Sequence, residues 1–246
     1  VECAVVTIVL VNADDASPQQ LAAEFVQADI VRYAYAPPST AAPIATWPTL
    51  QELITKSTRL ITFVSSLDAS SQSVAPYLLN QFDYVFENPF EVTQLSGFTC
   101  TPDRPSAVKG DISAAVRSGR LPLMNHFKGV GQAFGLVVPD IANITITNAP
   151  SGPTGNLGDA AAECERLYGK APTFILVDFF DQGPAIATVD RLNGITPVGR
   201  TNPPAALLQA PSEGHRGRSN EISGLLTRWN GCLGLIFIVA ISFARL

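Results

Sequence analysis

Charge is scarce in this 246-residue chain: Asp, Glu, Lys and Arg make up 15% of it and hydrophobic residues 46%. Ordinary soluble domains carry about 25% charged residues, so a disordered, self-repelling polymer is excluded. Basic excess is absent as well, with 16 Lys and Arg against 21 Asp and Glu and a net charge of −5. A body of that sign repels a phosphate backbone, and nucleic acid is not an expected partner. Cysteine is rare. Four residues are too few for a disulfide scaffold, and no two stand as C-x-x-C, which excludes a zinc ribbon and a thioredoxin-type motif. The G-x-S-x-G elbow and the H-E-x-x-H helix are missing too, so a serine hydrolase triad and a zinc protease find no support. Only two histidines exist, His126 and His215. Metal-free phosphodiester hydrolysis needs a base and an acid of pKa near 7, and the domain body supplies one imidazole for that work.

Five apolar, β-branched or aromatic runs read as short buried strands: Val5 to Val11, Leu60 to Ser65, Phe82 to Phe86, Leu121 to Phe127 and Thr173 to Phe179. Segments of helical period alternate with them over Pro18 to Ala28, Thr49 to Thr55, Ser73 to Asn80, Asp111 to Ser118, Gly158 to Tyr168 and Pro184 to Leu192. Strand followed by helix implies an α/β fold with a parallel sheet buried on both faces. Ser17 before Pro18 marks a helix start. The first strand-to-helix turn, Asn12 to Ser17, holds no glycine to cradle a phosphate, which argues against a doubly wound dinucleotide fold. A closed eight-stranded barrel needs about three strands more than these segments provide. Residues 35–48 form a Pro/Ala-rich loop, and residues 201–224 a polar linker that follows a domain over 1–200.

The chain starts at Val1 directly before a strand, which reads as a start inside a domain with the earlier barrel strands upstream. At the other end, residues 225–246 form a hydrophobic tail whose Cys232 to Ala244 stretch is uncharged. A spanning helix needs about 20 apolar residues. The tail is shorter and fits a removable glycosylphosphatidylinositol anchor signal, with attachment to a membrane surface as its consequence. A short tail helix packed on the domain, or a mis-joined C-terminus, are the alternatives.

Particular blocks carry more information. Trp47-Pro-Thr-Leu-Gln-Glu-Leu-Ile54, Ala75-Pro-Tyr-Leu-Leu-Asn-Gln-Phe-Asp-Tyr-Val-Phe-Glu-Asn-Pro-Phe90, Cys100-Thr-Pro-Asp-Arg-Pro105, Leu121-Pro-Leu-Met-Asn-His-Phe127 and Thr173-Phe-Ile-Leu-Val-Asp-Phe-Phe-Asp-Gln-Gly183 resemble the secreted fungal members of the phosphatidylinositol-specific phospholipase C-like phosphodiesterases. The likeness runs from about Val5 to Arg200. It implies a partial TIM-type (β/α) barrel lacking its N-terminal strands, and a phosphoric diester hydrolase acting on lipid or inositol phosphodiesters. The family's two catalytic histidines belong to earlier strands and find no match here, which implies that this fragment is inactive. A non-catalytic, surface-displayed remnant binding a head group or carbohydrate is the competing reading.

The same resemblance nominates site residues. Asp178 matches a carboxylate that orients a catalytic imidazole, with a helix cap or an Arg pair as the bland reading. Glu87 matches an acidic contact to inositol hydroxyls, or is a solvated loop carboxylate. One of Asn125 and His126 must point inward, because strand side chains alternate, and a satisfied structural histidine is the more common outcome for His126. Arg104 is either a phosphate clamp or a loop brace to Asp103. Cys100 and Cys164 lie in blocks like the family's and are expected to pair in an oxidising compartment, whereas Cys3 departs from the pattern and reads as a free thiol. Asn143-Ile-Thr145 is a glycosylation sequon, of use in a secreted or cell-surface protein. No cofactor motif is present, and the carboxylates leave a divalent metal open.

Overall fold

The computed structural model describes residues 4–13, 15–38, 42–65, 67 and 71–195, and the backbone of 236–242. His215, Cys3, Cys232 and the 201–224 linker lie outside the described residues. The chain divides into two compact units, residues 1–84 with 214–246 and residues 85–213.

In the first unit, β1 (Val5–Val11) runs parallel to β2 (Leu60–Ser65), with Val6 opposite Leu60 and Val11 opposite Ser65. Both strands coincide with their sequence expectation. Every residue of β2 is buried, as in a strand covered on both faces. Between them, α1 (Pro18–Gln27) opens with a full capping box: the Ser17 hydroxyl accepts from the Gln20 amide while the Gln20 side chain accepts from the Ser17 amide. A second box, Thr49 with Glu52, starts α2 (Leu50–Thr55). The strand β3 (Leu78–Asn80) extends the sheet beyond β2, after the single turn α3 (Ser71–Val74). A helix over Ser73 to Asn80 is therefore corrected. The Leu78 and Leu79 pair fits a helical face, but the open edge of β2 offers backbone partners that a local pattern cannot reveal.

The expected strand over Phe82 to Phe86 is also split. Gln81–Tyr84 forms the helical turn α4, and the second unit begins with β4 (Val85–Glu87). That unit's sheet has the order β4, β5 (Leu121–Asn125), β8 (Phe174–Leu176), all parallel. Between β5 and β8 lie the antiparallel hairpin β6 (Gly129–Gly131) and β7 (Val137–Pro139), the turn α6 (Ile144–Thr147) and α7 (Leu157–Tyr168). The helices α5 (Ile112–Arg117) and α7 are capped by the Asp111 and Asn156 side chains, and α8 (Ala185–Leu192) follows β8. Gly158 is required where it stands, since a Cβ there would lie 1.8 Å from the Pro150 carbonyl oxygen. Phe86, Met124, Leu157, Ala161 and Tyr168 form the core of this unit.

The α/β class with parallel strands holds, but no closed barrel exists among the described residues. The strands form separate four- and three-stranded parallel sheets. Barrel closure needs one continuous, staggered ladder, and β3, β4 and β8 are each three residues long. The described part of the tail is a strand rather than a helix: Ile236–Ser242 forms β9, parallel to β1 from Val5 opposite Ile236 to Val11 opposite Ser242. No helix among the described residues is long and apolar enough to cross a membrane.

Candidate active site

Parallel strands end at a common edge, and ligands of α/β proteins bind beyond the carboxyl ends of such strands. At this edge of the second unit Glu87 closes β4, Asn125 closes β5, and Asp178 lies two residues past β8.

Glu87 is buried, with 2% of its surface exposed. A carboxylate so placed must be paired. Its Oε1 forms an ion pair with Nη2 of Arg104, and its Oε2 lies 3.4 Å from the donating Nδ2 of Asn125. The backbones of Glu87 and Arg104 also bridge, the Glu87 amide donating to the Arg104 carbonyl at 2.9 Å. The guanidinium stands 4.4 Å from the centre of the Phe90 ring while 38% of the Arg104 side chain remains open to solvent. Arg104 is thus braced by Glu87 rather than by Asp103, which pairs with Lys109 at 2.8 Å. Asn125 points into the same network, donating to the Asn88 carbonyl at 2.9 Å. Asn88, which no sequence signal singles out, clasps the two strands: its Oδ1 accepts from the Asn125 amide at 2.6 Å and its Nδ2 donates to the Thr99 carbonyl at 2.8 Å.

His126 is fully buried and stacks on Phe98 with 4.1 Å between ring centres. Its Nε2 faces two carbonyls, Thr147 at 3.0 Å and Gly155 at 3.2 Å. Carbonyls only accept, so Nε2 carries the proton and Nδ1 keeps a lone pair. That Nδ1 is buried without a hydrogen-bond partner. Burial pushes the imidazole pKa down to about 4, against the raising effect of the two carbonyl contacts. The ring is neutral near pH 7.

Asp178 falls outside β8, in a loop rather than within the longer strand expected over Thr173 to Phe179. It is half-buried, and burial raises its carboxyl pKa. The loop is held by Asn148, a second residue without a sequence signal, whose Nδ2 donates to the carbonyls of Asp178, Phe179 and Gln182. Phe179 has a φ of 48°, unusual for a bulky residue. Cys100 and Cys164 form a disulfide with Cα atoms 5.2 Å apart. The Asn143 side chain donates to Asp140 at 2.7 Å. A cleft of ≈ 200 Å³ beside the disulfide, lined by Phe98, Met124 and Glu163 among others, touches none of Glu87, Arg104, Asn125 or Asp178. It is also smaller than the roughly 300 Å³ at which small-molecule pockets begin. Among the described residues no three His, Cys, Asp or Glu side chains group as metal ligands.

The family model described as PI-PLC X 1 matches residues 2–193. The chain belongs to the PI-PLC X domain family. It is similar to PI-PLC X domain-containing protein 1 of Arthroderma benhamiae, at 34% identity over 192 residues that cover 78% of this chain and 59% of the relative. It is also similar to an uncharacterized secreted protein of the same fungus, at 26% identity over 203 residues, 80% of this chain and 44% of the relative. The chain therefore spans about half the length of the curated relatives it matches. No solved structure matches it significantly.

Proposed function

We propose that the carboxyl edge of β4, β5 and β8 is the head-group-binding face of a phospholipase C-like phosphodiesterase site for lipid or inositol phosphodiesters. The observation that carries this reading is Arg104. A half-open guanidinium, oriented on one side by a buried carboxylate and on the other by an aromatic ring, matches two oxygens of a phosphodiester. Glu87 and Asn125 position it, and Asp178 is the supporting carboxylate whose raised pKa suits a group waiting for a basic partner. Proton transfer is the missing part. With its pKa near 4 and its Nε2 proton committed to two carbonyls, His126 supplies neither a base nor an acid near neutral pH. Head-group binding without turnover is thus the behaviour this chain supports.

Titration calorimetry with inositol 1-phosphate and glycerophosphoinositol tests the binding. A hydrogen bond to a charged group contributes about 1.5–3 kcal/mol, so Arg104→Ala should weaken both ligands roughly 10- to 100-fold while Arg104→Lys retains part of the affinity. Equal binding by wild type and Arg104→Ala would remove Arg104 from the site. Assayed against phosphatidylinositol and glycerophosphodiesters, the chain should show no turnover. Activity that survives chelation and disappears in His126→Ala would overturn the acid–base reasoning.

Secretion accompanies this function, supported by the disulfide and by a relative named as secreted. Asn143 is the glycan acceptor in that setting. An anchor signal over residues 225–246 would compete with the pairing of β9 to β1, because cleavage would strip that strand from the sheet.

A further inference from the structure

The proposed chemistry leaves His126 without a task, although the ring occupies a costly place. Its Nδ1 is buried without a hydrogen-bond partner, and a polar atom left so lowers stability. What the ring does lies at Nε2. The His126 amide extends the ladder beyond β5 by donating to the Leu176 carbonyl at 2.8 Å, and its side chain leaves the strand on the face opposite Asn125. From that fixed base Nε2 donates to the carbonyls of Thr147, the last residue of α6, and of Gly155, in the loop before α7.

Thr147 adjoins Asn148, which is fully buried. The Asn148 Nδ2 faces the carbonyls of Asp178 at 3.2 Å, Phe179 at 3.3 Å and Gln182 at 2.9 Å. An amide nitrogen carries two hydrogens, so the whole donor capacity of this side chain is spent on the loop that carries Asp178. The loop also closes tightly on it. A Cβ at Gly183, where φ is 69°, would lie 3.3 Å from the Cβ of Asn148. The Thr188 hydroxyl of α8 donates to the Asn148 carbonyl at 3.4 Å. Among the described residues no donor meets the Asp178 carboxylate, whose pKa is raised by burial.

We propose that His126 and Asn148 act in series as positioning residues for Asp178, holding its carboxylate where it accepts a hydroxyl of the ligand. This relay rests on the proposed function for its ligand and narrows the class. Arg104 matches phosphate oxygens, and an unpaired carboxylate accepts from hydroxyl donors. The ligand that uses both is a phosphate ester bearing free hydroxyls, not phosphate alone.

Titration calorimetry of the full chain with inositol 1-phosphate and with inorganic phosphate tests the relay. Asn148→Leu keeps the size of the side chain and removes its donor without adding charge. It should weaken inositol 1-phosphate about 10- to 100-fold, the weight of one hydrogen bond to a charged group, while inorganic phosphate binds as before. Asp178→Ala should weaken inositol 1-phosphate by the same factor, and the double variant by no more than either alone, since losses that act through one group do not add. His126→Leu should reproduce the loss. His126→Gln, whose Nε2 still donates toward Thr147, should restore most of the affinity. The carbon-13 carboxyl resonance that Asp178→Ala removes should move in Asn148→Leu and His126→Leu and stay in place in His126→Gln. Additive losses, equal weakening of both ligands, or an unmoved Asp178 resonance overturns the proposal. Should His126→Leu fail to fold, the Asn148→Leu and Asp178→Ala cycle decides. A wild-type chain that binds neither ligand would sink the head-group site, and the resonance alone then decides whether His126 and Asn148 place Asp178.

Discussion

Reducing the Cys100–Cys164 disulfide should lower the stability of the second unit by about 4 kcal/mol, the chain-entropy value for a closed loop of this length. The bridge joins the loop after β4 to the middle of α7, 64 residues apart in sequence. No regular hydrogen-bond ladder connects those two segments, so without the bridge the unfolded chain regains the freedom of the whole loop. Local contacts remain, among them one strong hydrogen bond. The Tyr168 hydroxyl donates to the Cys100 carbonyl at 2.6 Å while its ring meets Phe86 edge-on at 5.2 Å. Burial pushes that phenol up to about 12, so it stays a donor throughout the useful pH range. Urea unfolding of the oxidised protein, the reduced protein and the double variant Cys100→Ala, Cys164→Ala gives the comparison. A loss below 1 kcal/mol in both reduced forms would show that core packing around Tyr168 already holds α7 in place.

Acidification should destabilise the protein through His126 alone by up to about 3 kcal/mol, since its pKa drops from roughly 6.5 in the unfolded chain to about 4 in the fold. As pH falls through 6.5 the unfolded state takes up a proton that the native state refuses. Stability therefore declines from about pH 6.5 to about pH 4, and the contribution of this group levels off below that, once the folded imidazole also protonates. Carboxylates titrate in the lower part of the same window, so the contribution is read as the difference between wild type and His126→Gln. The variant should lose less stability between pH 7 and pH 5. Equal pH slopes in the two proteins, or a resonance that is lost in His126→Gln and titrates near pH 6.5 in wild type, would mean that the His126 ring reaches water in solution.

How much of this was legible in the residues depends on the distance over which each interaction acts. The bounds of β1 and β2 were readable because an apolar run buried on both faces needs no partner to declare itself. The Ser17 cap was readable because donor and acceptor are three residues apart. Where local pattern and long-range pairing compete, as at Leu78–Asn80, pairing with β2 prevailed. The β6–β7 hairpin escaped notice because its valines face solvent and its strands are three residues long, too short for an alternation to show.

The candidate site divides along the same line. The resemblance of the sequence blocks to the family supplied Glu87, Asp178 and the Cys100–Cys164 pair, and the residue types within those blocks added Arg104, Asn125 and His126 as candidates. Their roles were left open, since an acidic residue reads alike whether it meets solvent, a sugar or an arginine. Tertiary structure put Glu87 against Arg104 instead of water, turned Asn125 toward Asn88, and sealed His126 between Phe98 and two carbonyls. It also recruited Asn88 and Asn148, whose work is to satisfy backbone groups of distant segments. A hydrogen bond to a carbonyl leaves no mark in composition or spacing, and only the folded chain brings that carbonyl within reach.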